Sequence, residues 1–177
     1  MIDLGLPSNR SSIRLLYNGP SECFVTSVSR RDGLVDELYY RHRHAPKYTR
    51  ILGSKDDVSI REPVSCSNAP LVMFNVLSSR PDIPGAYDWA SLSTYDLVSD
   101  EVRDVVSAAT LPEMAGYERG WISGLISADG EGKTAVVSAG FMRPVGGGGG
   151  VVDYAVFELD CINIKLSKIA DLPGIFA

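Results

Sequence analysis

Short apolar runs separated by turn-forming residues recur along the chain. The runs at 71–77 and 134–141 are rich in Val, Phe and Thr, whereas Gly, Pro, Asn and Asp are concentrated between such runs. Runs this short, with this β-branched content, favour strands over helices. The pattern therefore predicts an all-β chain whose strands are joined by turns.

Two segments, 59–111 and 121–172, follow one plan. In each, an alternating run leads through a polar turn into an apolar strand that ends in Arg-Pro, and a later strand ends in an aromatic residue, an acid and Leu. The matched positions are Arg80-Pro81 with Arg143-Pro144, at an offset of 63, and Tyr95-Asp96-Leu97 with Phe157-Glu158-Leu159, at an offset of 62. These offsets indicate a repeat of about 60 residues.

Four short runs in each unit, joined by turns, are what a β-propeller blade requires. A weaker first unit fits residues 12–53, so the predicted units are 12–53, 59–111 and 118–172 of a single domain over 1–177. We therefore predict an incomplete β-propeller of about three four-stranded antiparallel blades. The alternative is a β-sandwich or barrel-like fold.

The third unit resembles the TolB-like β-propeller repeats. Ser127-Ala128-Asp129-Gly130 with Lys133 is similar to the turn of that family, and Val156-Phe157-Glu158-Leu159 is similar to the end of its later strand. Tyr95-Asp96-Leu97 in the second unit looks like the same strand end. The second unit departs from the family at Asn68-Ala69-Pro70, where the family has Asp-Gly-Lys. The resemblance implies a fold and no particular activity.

Three blades cannot close a ring, because propellers ordinarily have about 4–8. The chain is therefore expected to form a homo-oligomer or to be part of a longer chain. Residues 1–61 hold ten Lys and Arg against seven Asp and Glu, and residues 62–177 hold seven against fifteen, so the two parts carry +3 and −8. This asymmetry favours head-to-tail contact between copies.

Two segments also fit helices. Residues 99–109 place acids in a first turn and apolar residues on one face, and residues 32–39 are similar. The repeat favours strands for both.

Composition excludes several classes of function. The chain has 177 residues and a net charge of −5, which argues against nucleic-acid binding. It has no run of about 18 apolar residues that could span a membrane. Its first ten residues lack the pattern of a secretory signal, so a cytoplasmic location is the default expectation. Cys23, Cys66 and Cys161 lie singly in apolar or alternating runs and are predicted to be buried free thiols.

Residues 127–134 end in Gly-Lys-Thr, as a phosphate-binding loop does. Ser127 stands where that motif needs Gly, two acids lie among the expected phosphate contacts, and the following residues favour a strand instead of the required helix. A hairpin turn is the better interpretation. The glycine run at 146–150 is likewise predicted to be a hairpin connector, and no cofactor is expected.

Arg41, His42 and His44 form a candidate ligand-binding segment. Residues two apart on a strand share a face, so the two imidazoles would lie together. Two ligands are too few for a tight metal site, so no metal is predicted, and the surrounding basic residues suit an anionic partner. The alternative is a solvated basic edge.

Tyr87, Trp89 and Trp121 are the aromatic candidates for ligand binding. We expect Tyr87 and Trp89 in the loop that corresponds to the glycine run, and Trp121 at the start of a strand. Exposed aromatic rings are common anchors for sugars and peptides. The alternative is packing between blades.

A catalytic site has no local signature in this sequence. There is no Gly-x-Ser-x-Gly, and the adjacent acids Asp56-Asp57 and Asp100-Glu101 are predicted to lie in solvated turns. We therefore predict a noncatalytic propeller-type binding or scaffolding module for a protein or carbohydrate ligand. The alternative is a carbohydrate- or peptide-active enzyme, or a fragment of one, whose site another chain completes.

Overall fold

The computed structural model describes residue 6 and residues 10–18, 23–30, 36–42, 44–52, 58–79, 87–145 and 149–172. These residues form strands with one short helix between the eighth and ninth strands. The elements are β1 (Arg10–Asn18), β2 (Cys23–Arg30), β3 (Asp36–His42), β4 (Thr49–Leu52), β5 (Val58–Ser65), β6 (Leu71–Ser79), β7 (Tyr87–Asp96), β8 (Glu101–Ser107), α1 (Leu111–Ala115), β9 (Arg119–Ala128), β10 (Thr134–Val145), β11 (Gly149–Asp160) and β12 (Lys165–Asp171). The prediction of an all-β chain is confirmed.

The strands form three consecutive antiparallel meanders of four strands each: the first meander (β1–β4), the second (β5–β8) and the third (β9–β12). Among the residues that the structure describes, a single pair, Asp36 with Ile60, joins β3 to β5, so the first two meanders share one sheet. The third meander is a separate sheet with β9 and β12 at its edges. Within the described ranges neither sheet closes on itself.

Each later meander places its first strand against the meander before it. Strand β9 contacts β5, β6 and β7, and β5 contacts β1 and β3. An antiparallel sheet with two apolar faces must cover both of them, and these contacts do so for the second meander.

Strand β6 shows how the second meander is covered on both sides. Val72 and Phe74 pack in one cluster with Leu38 of the first meander, whereas Met73 packs in another with residues of the third meander. Successive residues on a strand point to opposite faces. The continuous apolar run at 71–74 is therefore required by burial on two sides, and its residues other than Leu71 are fully buried.

The turns that follow β7 and β11 have the same geometry. Asp96 Oδ1 accepts the backbone N–H of Val98 at 2.7 Å, and Asp160 Oδ1 accepts that of Ile162 at 2.9 Å. Each turn ends in a left-handed residue, Asp100 at φ 58° and Ile164 at φ 51°. Such Asx turns let a carboxylate replace backbone hydrogen bonds at a strand end.

This equivalence corrects the alignment made from the sequence. Asp96 corresponds to Asp160 and not to Glu158, so the two strand ends are related by an offset of 64 in the numbering. Glu158 lies inside β11, opposite Val136, and its side chain is exposed. The sequence match paired two acids, but only a carboxylate at the strand end can accept the N–H groups of the turn.

Bulges occupy matching places in the second and third meanders. In β5 an extra residue lies between Arg61 and Val64, and in β9 an extra residue lies between Gly124 and Ser127, which is the same place at an offset of 63. In the last strands the extra residues are Val105 of β8 and Ile169 of β12, at an offset of 64. Bulges bend a strand at a fixed point, so the first and last strands of the two meanders share these bends. The extra residues Ala90 of β7 and Ser123 of β9 have no counterpart in β11 and β5.

The hairpin prediction for residues 127–134 is confirmed. Lys133 N–H donates to Asp129 Oδ1 at 2.8 Å, Gly132 adopts φ 71°, and β10 follows directly. This turn docks on the β5–β6 turn, where Asn68 N–H donates to Gly130 O at 2.7 Å. A Cβ at Gly132 would lie 3.2 Å from Cys66 Sγ, so the close approach also favours glycine there.

Other expectations have mixed outcomes. The strands favoured over helices are present as β8 and β3. Arg143-Pro144 does not end its strand, because β10 continues to Val145, which pairs with Gly149. The glycine run does join two antiparallel strands, but its last two glycines belong to β11, and 146–148 lie outside the described residues. Arg80-Pro81 and Asp56-Asp57 also lie outside them.

No helix among the described residues is long and apolar enough to cross a membrane.

Replacing Phe74 with Ala should destabilise the protein by about 3–5 kcal/mol, because its ring is fully buried between the first and second meanders. Urea unfolding followed by circular dichroism measures this change. Val98→Ala is the matched control, since Val98 is 80% exposed, and it should cost under about 0.5 kcal/mol. Equal effects of the two substitutions would contradict the packing described.

Removing the Asp160 carboxylate should make stability less sensitive to acid. Hydrogen bonds from the Asn163 side chain, then from the backbone N–H groups of Asn163 and Ile162, hold the pKa of Asp160 below its ordinary value. A lowered folded-state pKa contributes stability that is present at neutral pH and is lost as the pH falls below about 4.

Asp160→Ala should therefore lower the urea midpoint at pH 7, and its deficit relative to the unsubstituted protein should shrink between pH 5 and pH 3. A deficit that stays constant over this range would show that the ionised carboxylate does not stabilise the turn.

Candidate functional site

Polar side chains come together where the first strand of the third meander meets the second meander. Glu62 and Pro63 lie in the β5 bulge, and Glu62 has φ 53°. Proline has no N–H for the ladder, so Glu-Pro inside a strand favours a bulge at this point. The bulge directs the Glu62 carboxylate to the open edge of β9.

The Glu62 carboxylate joins three strands. Its Oε2 accepts the backbone N–H of Leu125 in β9 at 2.8 Å and the Nδ2 group of Asn75 in β6 at 3.3 Å. Asn75 Oδ1 in turn accepts the indole N–H of Trp89 in β7 at 3.2 Å. We call Glu62, Asn75, Trp89 and Leu125 the inner-edge network.

Burial makes these bonds necessary. Asn75 is 3% exposed and Trp89 is 8% exposed, so an unmade bond at either side chain would leave a polar group away from water. Glu62 itself is exposed at the edge. The carboxylate therefore connects a buried chain of hydrogen bonds to the surface, and it also satisfies one N–H of an open strand edge.

Three small or hydroxylated residues adjoin the network on β9 and β10. Ser123 Oγ donates to Ser138 Oγ at 3.0 Å, and Ser138 Oγ lies 3.4 Å from Gly124 O. A Cβ on Gly124 would lie 2.8 Å from Ser138 Oγ and 3.6 Å from Glu62 Oε2, so glycine permits the carboxylate to approach β9. The result is an edge with a carboxylate and hydroxyl groups beside one another.

The structure separates the three aromatic candidates. Tyr87 and Trp89 lie in strand β7 and not in a loop, which corrects the expected position. Trp89 is buried in the cluster between the second and third meanders, as the packing alternative proposed. The side chain of Tyr87 lies outside the described residues. Trp121 is half-buried on β9, with its ring 5.9 Å from that of Tyr154 in an edge arrangement.

The basic segment is also divided. His42 ends β3, whereas His44 is exposed in the turn beyond it, so the two histidines do not share a strand face as expected. The side chain of His42 lies outside the described residues. Arg41 is half-buried and lies over the Tyr48 ring, 4.9 Å from its centroid. No group of three or more potential metal ligands occurs among the residues that the structure describes.

Two further groups of polar or reactive residues are structural in this arrangement. Ser91 and Ser93 donate to Asp104 Oδ1 at 3.0 and 2.6 Å, which ties β7 to β8. Burial, with a smaller effect of Asp129, raises the pKa of the Cys66 thiol to about 11. Burial, with smaller effects of Asp129, Asp160 and Cys66, raises the pKa of the Cys161 thiol to about 12. Both cysteines are free, and such thiols stay protonated at neutral pH. The buried-thiol prediction is confirmed for Cys66, Cys161 is half-buried, and the Cys23 side chain lies outside the described residues.

Sequence reasoning missed Glu62 and Asn75. Two signals were present: Glu-Pro within an alternating run, and a single Asn within the apolar run at 71–77. A polar residue in a strand buried on both sides needs a partner, although the sequence does not say which residue supplies it.

No protein-family model matches this sequence, and a search of curated proteins finds no match.

Glu62→Ala should destabilise the protein by about 1–3 kcal/mol, because it leaves the Leu125 N–H and the Asn75 amide without their acceptor. Glu62→Gln keeps an acceptor oxygen and should cost less. Urea unfolding monitored by tryptophan fluorescence measures both changes. Glu118→Ala, at an exposed position before β9, should have little effect, and a loss as large as that of Glu62→Ala would contradict the network's role.

Proposed function

We propose that the protein is a noncatalytic binding or scaffolding module of the β-propeller type, in which the three meanders are consecutive blades similar to TolB-like repeats. One observation carries this proposal: the β5 and β8 bulges and the Asx turn of the second meander recur in the third, at offsets of 63 or 64 in the numbering. Repeated blades bend and turn at repeated positions because each packs on its neighbour in the same way.

The stacking of the meanders also supports the proposal. Each later meander's first strand lies against the preceding meander, as the innermost strands of propeller blades do around a central axis. In this proposal β1, β5 and β9 line the axis, and the inner-edge network lies beside it. A ligand at the axis would then contact Glu62 and Ser123, both of which are exposed.

The chemistry of this edge suits a ligand that donates hydrogen bonds. Glu62 uses Oε2 for both of its bonds within the network, and a carboxylate offers about four acceptor positions over its two oxygens. Sugar hydroxyls and peptide N–H groups are donors of this kind. A carbohydrate or an extended protein segment is therefore the proposed class of ligand.

A noncatalytic role is supported by what the polar groups do. The carboxylates of Glu62 and Asp104 accept hydrogen bonds that join strands, and the thiols of Cys66 and Cys161 have raised pKa values. Groups committed to structural bonds, or held protonated, are poor nucleophiles and bases.

Isothermal titration calorimetry against a panel of neutral oligosaccharides and peptides tests this function. At least one ligand should bind reversibly and be recovered unchanged by mass spectrometry. Glu62→Gln should weaken that binding by about tenfold, the effect of losing one charge-assisted hydrogen bond, whereas Glu118→Gln should not. A ligand recovered in cleaved form would contradict the noncatalytic role.

The enzyme alternative is tested in the same assay. Because the proposed site lies at the axis, a metal chelator and the double substitution His42→Ala, His44→Ala should leave ligand binding unchanged. Cleavage of a ligand that either treatment abolishes would favour the enzyme alternative.

A further inference from the structure

The third meander has one face that packs on the second meander and one that does not. Val137, Ala139 and Phe141 of β10 belong to the cluster shared with the second meander. Alternate residues on a strand point to opposite sides, so their neighbours lie on the other face. We call this the outer face, and its residues on β10, β11 and β12 include Val136, Ser138, Gly140, Tyr154, Val156, Glu158 and Ala170.

The outer face matches, position by position, the face of the second meander on which the third meander sits. Residues of β6 and β10 correspond at an offset of 63 in the numbering. The residues that pair with them in the neighbouring strands then correspond in turn. The matched pairs are Met73 with Val136, Asn75 with Ser138, Leu77 with Gly140, Trp89 with Tyr154, Leu92 with Val156 and Val106 with Ala170. The outer face therefore corresponds to a face that the third meander covers in the second meander. No described residue of this chain covers the outer face itself.

The side chains of the outer face are suited to contact another sheet. Trp121 and Tyr154 pack on either side of Gly140, where a Cβ would lie 2.8 Å from both rings. Val136 and Val156 flank them and are half-buried. In the second meander the equivalent residues Met73, Trp89 and Leu92 are buried, since the third meander covers them. An apolar sheet face of this kind gains stability when another sheet covers it.

The order of the meanders identifies the covering element. Strand β5 lies against the first meander, and β9 lies against the second. Strand β1 is the first strand of its meander too, but no described meander precedes it. Residues 1–61 carry +3, and the third unit, residues 118–172, holds five Lys and Arg against seven Asp and Glu and so carries −2. These opposite charges favour contact between the first meander of one copy and the third of another. Two copies would supply six meanders, a number within the range of closed propellers.

We propose that the outer face of the third meander binds the first meander of a second copy of this chain, head to tail, with β1 of that copy against β9 and β11. This inference rests on the proposed propeller-type module and names its partner. Two such contacts, each between the third meander of one copy and the first meander of the other, close the two copies into a ring.

Sedimentation velocity of the full chain over a range of concentrations tests the proposal. The mass derived from sedimentation should be twice that of one chain. Val156→Arg places a charge at the centre of the outer face and should weaken the dimer at least about tenfold. Val98→Arg is the matched control, because Val98 is 80% exposed in the turn after β7, and it should leave the dimer intact. Circular dichroism verifies that each variant is folded.

Glu158→Arg provides a second variant that keeps the apolar side chains. Glu158 is exposed on the outer face, so its reversal should repel the basic first meander and dissociate the dimer, whereas Glu118→Arg should not. A monomeric unsubstituted protein would overturn the proposal, and so would a dimer that neither outer-face substitution weakens.

Lysine cross-linking between isotopically labelled and unlabelled copies distinguishes the two modes of pairing. Links between copies that join Lys47 of the first meander to Lys165 or Lys168 of β12 are expected. Links between copies that join only Lys165 and Lys168 would show the outer faces meeting each other and would overturn the head-to-tail contact.

A monomer that still binds a ligand unchanged would refute this inference alone, and a head-to-tail dimer that cleaves its ligand would refute the noncatalytic function alone.

Discussion

Burial of both faces of the second meander is the constraint on which the rest of the structure depends. Phe74 and Val72 need the first meander, and Met73 needs the third, so β6 is stable as an apolar strand only between two other meanders. This constraint requires the meanders to stack, and the stacking brings β9 to the edge of β5. The inner-edge network follows, because a strand edge that meets another sheet needs acceptors for its N–H groups.

Much of the fold could be predicted from the sequence. The apolar runs and turn residues were sufficient to place strands and the Asp129–Lys133 hairpin, because period and turn chemistry are local properties. The alignment of Asp96 was wrong, since which acid accepts the turn N–H groups depends on where β11 ends. The helix α1, with Pro112 at its start and left-handed Gly116 at its end, was also missed because it is so short.

The candidate site was harder to predict. The sequence suggested that Trp89 is an exposed anchor for a ligand. In strand β7 it pairs with Leu77 and its side chain lies in the core, and the assignment of Trp89 to a loop could not predict which way that side chain faces. Glu62 acts through Leu125, a residue 63 positions away, and contacts of that kind arise only from the stacking of sheets. Sequence patterns report which side chains need burial or partners, whereas tertiary packing determines which partner each receives.

Hydrogen–deuterium exchange of the backbone amides tests the stacked arrangement most directly. If the second meander lies between two others, the amides of β6 should exchange only through global unfolding, and those of β12, an edge strand whose side chains are mostly exposed, should exchange much faster. Exchange in β6 as fast as in β12 would contradict the account, because it would mean that the second meander is not covered on both faces.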